Sequence, residues 1–303
     1  MKAVVLKDYG DPSKLQMENV DQPVAGPREV LVRVRATSVN PIDWKIRSGA
    51  ARGYIDVKLP AILGHDLAGE VEAIGEGVTG FTKGQRVMGI TSRTYAEFAT
   101  AKADALAPIP DMLTFEQAAA LPLVVTTGAR LIEHAVKIQP GQKVLVLGAL
   151  GGVGRSAVHV ALGHGATVLA GVRKSRMEEA HTLGAHQIVA IDDEKELEKV
   201  RDLDAVADTI GGPTAERALR TLKEGGVFGT VNGAPKGAAS RNIRVAGFSA
   251  QPDAARLREL ANDAARGSLK IPVAKILPLE KASEAHKDAE QGHTRGKIIL
   301  RTA

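Results

Sequence analysis

The chain of 303 residues contains no cysteine. Disulfides, thiolate nucleophiles and thiolate-bound zinc are therefore excluded by composition. Aromatic residues make up only 3% of the chain, which leaves little to stack on nucleic-acid bases. Long apolar runs are missing as well: no stretch approaches the roughly 18 uninterrupted apolar residues of a membrane-spanning helix. The opening Met1-Lys2-Ala3-Val4-Val5-Leu6-Lys7-Asp8 has an apolar run too short for a secretion signal and soon meets an acid, so a cytoplasmic protein is expected. Charge of one sign is not in marked excess. Lys and Arg number 40 against 35 Asp and Glu, and the resulting +5 is spread along the chain without a basic block. That balance gives no ground for a nucleic-acid partner, although it favours an anionic small molecule.

What remains is an ordinary globular composition, in a chain longer than one hydrophobic core usually organises. Two domains are the natural expectation. Val30-Leu31-Val32-Arg33-Val34-Arg35-Ala36 alternates apolar and charged residues as a half-buried strand does. Frequent glycines from Gly64 to Gly89 then separate short apolar runs, which suggests a small β-barrel. After Pro108-Ile109-Pro110-Asp111 the pattern changes. Thr114 and Gln117 have the spacing of a helix capping box. Beyond them, strands at Lys143–Leu147, Thr167–Ala170, Gln187–Ala190, Ala205–Thr209, Val227–Val231 and Arg244–Gly247 alternate with helices such as Val153–His164 and Ser175–Leu183. This alternation predicts an α/β fold with a doubly wound parallel sheet. The tail reads as strand, helix and strand at Pro272–Leu277, Glu280–Glu290 and Gly296–Arg301. Periodicity leaves open whether it extends that sheet or returns to the first domain. No internal repeat or low-complexity linker is present.

The most informative segment joins the strand Lys143–Leu147 to a helix through Gly148-Ala149-Leu150-Gly151-Gly152-Val153-Gly154. A diphosphate needs bare backbone N–H groups at a helix N-terminus, where the dipole favours negative charge. Glycine permits the tight turn and the close approach. Ala149 stands where the first glycine of the simple dinucleotide fingerprint falls; the strand and helix on either side favour the dinucleotide reading over a plain turn. At the end of the second strand an NAD site would offer a carboxylate to the ribose. Here Arg173-Lys174-Ser175-Arg176 stands instead, a cluster suited to a 2′-phosphate, or else a solvated basic turn. NADPH is the expected cofactor.

Four segments together resemble the medium-chain dehydrogenase/reductase superfamily, in its zinc-independent quinone oxidoreductase-like branch. They are Ser38–Gly49, Leu63–Val71, the glycine turn, and the closing Gly292-His293-Thr294-Arg295-Gly296-Lys297-Ile298-Ile299-Leu300. The resemblance runs nearly end to end. It implies a GroES-like β-barrel catalytic domain at residues 1–113, completed by residues 268–303, and a Rossmann NADPH-binding domain at residues 114–267. It also implies a cofactor cleft between them, a homodimer, and reduction of quinones or α,β-unsaturated carbonyls. Where zinc-using relatives place their first cysteine ligand this chain has Asn40, and the short Ile90–Tyr95 passage leaves no room for a four-cysteine lobe. His65 and Asp66 alone do not make a three-ligand site, so no metal is expected and His65 reads as a packed or hydrogen-bonded residue. Without a Lewis acid, conjugate reduction is the easier chemistry, because a few hydrogen bonds stabilise the enolate or phenolate it makes.

The resemblance also nominates site residues. Asn40 and Asp43 fall among the cleft residues, Asn40 to bond the substrate oxygen or ribose and Asp43 to orient the loop, against a pure turn role for both. Tyrosines that some relatives carry nearby are absent, which leaves Tyr54 as a candidate of uncertain register and water as the other proton source. Thr127 matches a cofactor-contacting threonine, the alternative being a bond back into its own helix. Asn232 and Gly233, at a strand end, approach the nicotinamide through backbone groups, whereas Asp208 caps a turn. Lys297, which matches the closing motif, is grouped with the cofactor-binding residues and lies near the cleft or on the surface. The competing reading is an NADPH-binding structural or regulatory protein with little turnover.

Overall fold

The computed structural model describes the chain except Ser240, Arg241, Ser249, His293 and Ala303. His293 of the closing motif thus lies outside the described residues. In chain order the opening segment forms β1 (Lys2–Leu6), β2 (Leu15–Asn19), β3 (Glu29–Val39), β4 (Ala61–Ile62), β5 (Asp66–Ile74), β6 (Arg86–Ile90), β7 (Phe98–Lys102) and β8 (Leu106–Pro108). Its helices are α1 (Pro41–Ser48), α2 (Phe115–Ala119) and α3 (Pro122–Arg130). The middle segment forms β9 (Lys143–Leu147), β10 (Thr167–Val172), β11 (Gln187–Ala190), β12 (Leu203–Asp208), β13 (Leu222–Thr230) and β14 (Arg244–Gly247), with α4 (Gly152–Gly163), α5 (Met177–Ala180), α6 (Glu194–Glu198) and α7 (Gly212–Ala218) between strands. The tail adds α8 (Ala254–Ala265), β15 (Val273–Pro278), α9 (Ala282–Gln291) and β16 (Lys297–Arg301).

Two compact units result, Met1–Leu123 with Gln251–Ala303, and Val124–Ala250. The divisions fall after Leu123, inside α3, and after Ala250, rather than at the 113/114 and 267/268 positions read from the sequence. α8 is therefore part of the first unit.

In the first unit a seven-stranded sheet runs β15-β16-β3-β5-β6-β8, with β7 also paired to β3. β3 turns Val30, Val32 and Val34 inward, while Arg33 and Arg35 reach Glu72 and Glu70 on the neighbouring strand at 3.0 and 2.8 Å. These partly exposed pairs set register more than stability. Val30, Val32, Leu67, Val71, Val87 and Leu106 pack as one core. A second core joins β1, α1 and the tail, including Leu6, Ile46, Tyr95, Ala285 and Leu300. The tail's place is thus settled: β16 pairs antiparallel with β3, Ile298 opposite Val39.

The second unit is one parallel sheet, β11-β10-β9-β12-β13-β14, the doubly wound order expected. Val144 to Leu147 of β9 are all buried, as suits a central strand covered on both faces. The helix read at Ser175–Leu183 is instead broken into a 3-10 turn at Lys174–Arg176, the short α5, and another 3-10 turn. Arg176 leaves helical geometry (φ −123°, ψ 13°) while its guanidinium forks onto Glu179 at 2.7 Å. β13 starts earlier than the strand read at Val227–Val231, because Leu222 already pairs with Leu203 of β12. The capping box at Thr114 and Gln117 is present in both directions, 3.3 and 2.9 Å.

Candidate active site

In the first unit, β3 ends at Val39 and Pro41 opens α1, so Asn40 becomes the helix N-cap. Its backbone N–H donates to Asp43 Oδ2 at 2.8 Å, which closes the turn and fixes that carboxylate. The Asn40 side chain is turned elsewhere. Its Nδ2 donates to Asp66 Oδ2 at 2.8 Å, and its Oδ1 accepts from the Lys297 ammonium at 2.5 Å. Lys297 also donates to the Val39 carbonyl at 3.3 Å and stands 3.5 Å from Asp66 Oδ2. Ser38 Oγ and the backbone N–H of Leu123 complete the shell of Asp66, at 2.5 and 2.7 Å. Asn40, Asp66 and Lys297 are buried, so each charge is kept by its partner rather than by water. Burial pushes the Lys297 ammonium below its ordinary range, and the nearby carboxylates work against that shift.

Asp43 anchors a second branch. His65 Nδ1 meets Asp43 Oδ1 at 2.6 Å, while Tyr95 Oη donates to Asp43 Oδ2 at 3.2 Å. Tyr95 Oη also lies 3.1 Å from His286 Nε2. Because the single tyrosine proton goes to the carboxylate, His286 supplies the hydrogen for the second contact and is neutral with its proton on Nε2. Burial lowers the His286 pKa to about 4. Burial likewise drives the Tyr95 phenol well above its ordinary value, and the carboxylate beside it adds to the rise. For the pair itself, burial disfavours both charges but mutual attraction prevails: Asp43 titrates below its ordinary value and His65 above. His65 retains 26% of its side-chain exposure, whereas Asp43 has none. The exposed part borders a cavity of about 520 Å³ lined by Ile46, Ile55, Val57, Leu63 and His65 among others.

Asn40, Asp43 and Lys297, nominated separately from the sequence, thus share one buried network. Lys297, grouped there with the cofactor residues, directs its ammonium at Asn40. Tyr54 is not part of the network; 63% of it is exposed and it does not border the cavity. Asp66, Tyr95 and His286 carry much of the arrangement and were not read as site residues. Asp66 could have been found from its place beside His65, but Tyr95 and His286 are contributed from remote positions with no local pattern.

In the second unit, Gly148 follows β9 at φ +78° and Gly151 caps α4 without a side-chain bond. The first-turn N–H groups at Gly152, Val153 and Gly154 have no acceptor within the helix. A Cβ on Gly154 would collide with the Gly148 carbonyl, and one on Gly152 would press on Val124 at 3.0 Å. The turn is closed by the Gly151 N–H donating to the Gly148 carbonyl at 2.9 Å, with Ala149 buried beneath it. Thr127 is buried on α3. At the end of β10, Lys174 is tied to Asp193 at 2.9 Å and Arg176 to Glu179, while Arg173 and Ser175 are exposed. No hydrogen bond or ion pair engages the Arg173 guanidinium among the described residues. Asp208 accepts from the backbone of Ile210 and Gly211 at 2.9 Å each and from Thr230 Oγ1 at 2.8 Å, which is the turn-capping role read for it. Asn232 and Gly233 are exposed at the end of β13, with the Asn232 N–H on Thr230 Oγ1.

The donor set does not suit zinc. Asn40 Oδ1 already holds a cation, cysteine is absent, and no group of three or more His, Asp or Glu side chains is arranged for a metal among the described residues. Also among those residues, no helix is long and apolar enough to cross a membrane.

Comparison with known proteins adds the following. Residues 26–111 match the alcohol dehydrogenase GroES-like domain, and residues 183–300 match a family described as zinc-binding dehydrogenase. The mouse protein named quinone oxidoreductase is 31% identical over 99% of this chain and 97% of its own length. The tomato protein named 2-methylene-furan-3-one reductase is 31% identical over 99% of this chain and 79% of its own. The structure of Escherichia coli quinone oxidoreductase complexed with NADPH superposes with a TM-score of 0.87 at 28% identity, covering 99% of this chain and 100% of that one. Sequence, sheet order and these relatives agree, and the chain belongs to the medium-chain dehydrogenase/reductase superfamily, as an oxidoreductase of its quinone oxidoreductase-like branch.

Proposed function

We propose that the protein is an NADPH-dependent reductase that passes a hydride to quinones or α,β-unsaturated carbonyl compounds without a metal ion. The observation that carries this reading is the Lys297 ammonium on Asn40 Oδ1 at 2.5 Å. It puts a fixed protein cation beside the residue that stands in place of a zinc-ligating cysteine. A simple alcohol or carbonyl then lacks its Lewis acid, whereas a conjugated acceptor delocalises the incoming electron pair onto oxygen by itself. The names of the mouse and tomato relatives support the same two acceptor classes.

The second unit supports the cofactor assignment. Gly148, Ala149, Gly151, Gly152, Val153 and Gly154 would hold the diphosphate, since the packing around Gly154 leaves no space for a side chain and the helix amides are free to donate. Arg173, with Lys174, Ser175 and Arg176 around it, would hold the 2′-phosphate. Thr127, Asn232 and Gly233 would meet the nicotinamide half. Bound there, the reduced nicotinamide supplies the hydride. The cavity beside His65 offers the acceptor apolar walls, from Ile46, Ile55, Val57 and Leu63, and a polar end. Asn40, Asp66 and Lys297 keep the base of α1 rigid, so that Asp43 and His65 are held in place. The proposal includes a homodimer, supported by the outer edge of β14, which pairs with no further strand among the described residues.

The test follows loss of reduced-nicotinamide absorbance with NADPH and a panel of ortho- and para-quinones, alkenals and enones, while light scattering gives the assembly state. Acceptor-dependent oxidation with NADPH preferred over NADH is the expected result. Tight NADPH binding with no turnover across the panel would favour a structural or regulatory role instead.

A further inference from the structure

We infer that His65 is the proton donor of the reductive reaction, its imidazole held through Nδ1 by buried Asp43 and presented to the acceptor cavity with Nε2 uncommitted. The inference rests on the reductase reading and names the group that quenches the oxyanion. Three observations meet at this side chain. His65 borders the cavity and is part-exposed. Its Nδ1 is bound at 2.6 Å to a carboxylate with no exposure of its own. Its Nε2 has no partner among the described residues, so that nitrogen alone is available to a substrate. A histidine with one nitrogen fixed by a carboxylate and the other open to the reacting atoms has the geometry of a general acid–base group.

Other protic groups fit less well. Tyr95 Oη is buried and already donates to Asp43. Lys297 is buried and bound to Asn40. Ser92 borders the cavity, but a hydroxyl is too weak an acid to release a proton near neutrality. Arg93 and Lys58, also at the cavity wall, are exposed.

A hydride adds to the β-carbon of the enone or to the quinone, and the π pair moves onto the carbonyl oxygen. The Nε2–H bond of the imidazolium breaks and an O–H bond forms on that oxygen, leaving neutral imidazole. Solvent returns the proton through the open side of the ring. For an enone, the enol then relaxes to the saturated ketone. Asp43 is thus a positioning residue: it orients the ring and stabilises the imidazolium, while Asn40 and Tyr95 hold Asp43. The groups facing His65 are Asp43 of α1 and Asp66 of β5, and across the cavity Glu18, Asp56, Lys58 and Arg93. Burial disfavours the imidazolium, and Asp43 more than offsets it, so the acid form persists above the ordinary histidine range.

The experiment measures kcat/KM against pH for the full-length wild type, H65Q, H65A and K58A, and the rise in Tm that NADPH causes in each. The wild type should be level at acid pH and fall about tenfold per pH unit above the imidazolium pKa. H65Q should lose about 10²–10³-fold with the alkaline fall abolished. The NADPH-induced Tm rise should be kept, and added imidazole should partly restore H65A. A wild-type profile without an alkaline fall, H65Q equal to wild type, or the loss seen in K58A instead would overturn the assignment. A wild type that reduces none of the acceptors would bring down the reductase reading itself, a distinct outcome that removes this assignment with it.

Discussion

At the scale of single residues, what decides each role is which partners a charge already has. Lys174 and Arg176 are paired with Asp193 and Glu179, so Arg173 is the cation best placed to discriminate a 2′-phosphate. Arg173→Ala should weaken NADPH binding about 10–100-fold, the value of one or two charge-assisted hydrogen bonds, and leave NADH binding nearly unchanged. Fluorescence titration with both cofactors measures this, and an equal loss for both would remove the phosphate assignment. Two histidines set opposing pH dependences. His286 has a folded pKa of about 4 against an ordinary 6.5. Between those values the unfolded chain binds the extra proton, so stability falls as pH drops from 6.5 towards 4, by roughly 3 kcal/mol for this group. His286→Gln should flatten the Tm profile over that interval. His65 has a raised folded pKa, so its contribution is complete below 6.5 and is lost as pH rises through the folded value. The Tm gap between wild type and His65→Gln should therefore narrow on the alkaline side.

At the scale of elements, the β9–α4 junction shows how packing selects glycine. Gly154 faces the Gly148 carbonyl so closely that a Cβ has nowhere to go, whereas Gly163 at the far end of the same helix is exposed and meets nothing within 4 Å. Gly154→Ala should cost about 1–3 kcal/mol and abolish NADPH binding. Gly163→Ala should instead stabilise by about 0.5–1 kcal/mol, with binding intact. Denaturant melts with and without cofactor test both. This junction was legible in the sequence because strand, turn and helix are consecutive, and the contact that demands glycine at 154 is with Gly148, six positions before it. The broken helix around α5 was not. Its amphipathic pattern is helical, and the interruption depends on Arg176 and Arg155 converging on Glu179, with Arg155 coming from α4.

At the scale of the whole chain, the tail closes the first unit. β16 lies between β3 and β15, and α9 packs Ala285 into the core with Tyr95 and Leu300. Arg47 of α1, itself buried, reaches Glu290 of α9 at 2.5 Å. A chain ending at Ala250 should lose the fold of residues 1–123, because Ala36–Val39 of β3 would lose their partner strand β16 and the core would expose its apolar face. Residues 124–250 keep all six strands of their sheet and should stay protected. Hydrogen exchange resolved by peptide checks this; protection lost equally in both units would show that they do not fold separately.

Alternation and glycine spacing were enough to determine the fold class, the glycine turn between β9 and α4 and the basic cluster beyond the second strand, because each arises between neighbours along the chain. The three nominations Asn40, Asp43 and Lys297 came from family motifs, with no sign in the sequence that they touch. Only the tertiary structure decided that Lys297 crosses 257 positions to reach Asn40, and that Tyr95 and His286 meet across 191. A buried charge must find its partner wherever the fold brings one, and that demand leaves no periodic trace. For the same reason His65, which reads from the sequence as a packed or hydrogen-bonded residue, meets Asp43 only once the chain is folded, and the role proposed for it depends on that contact.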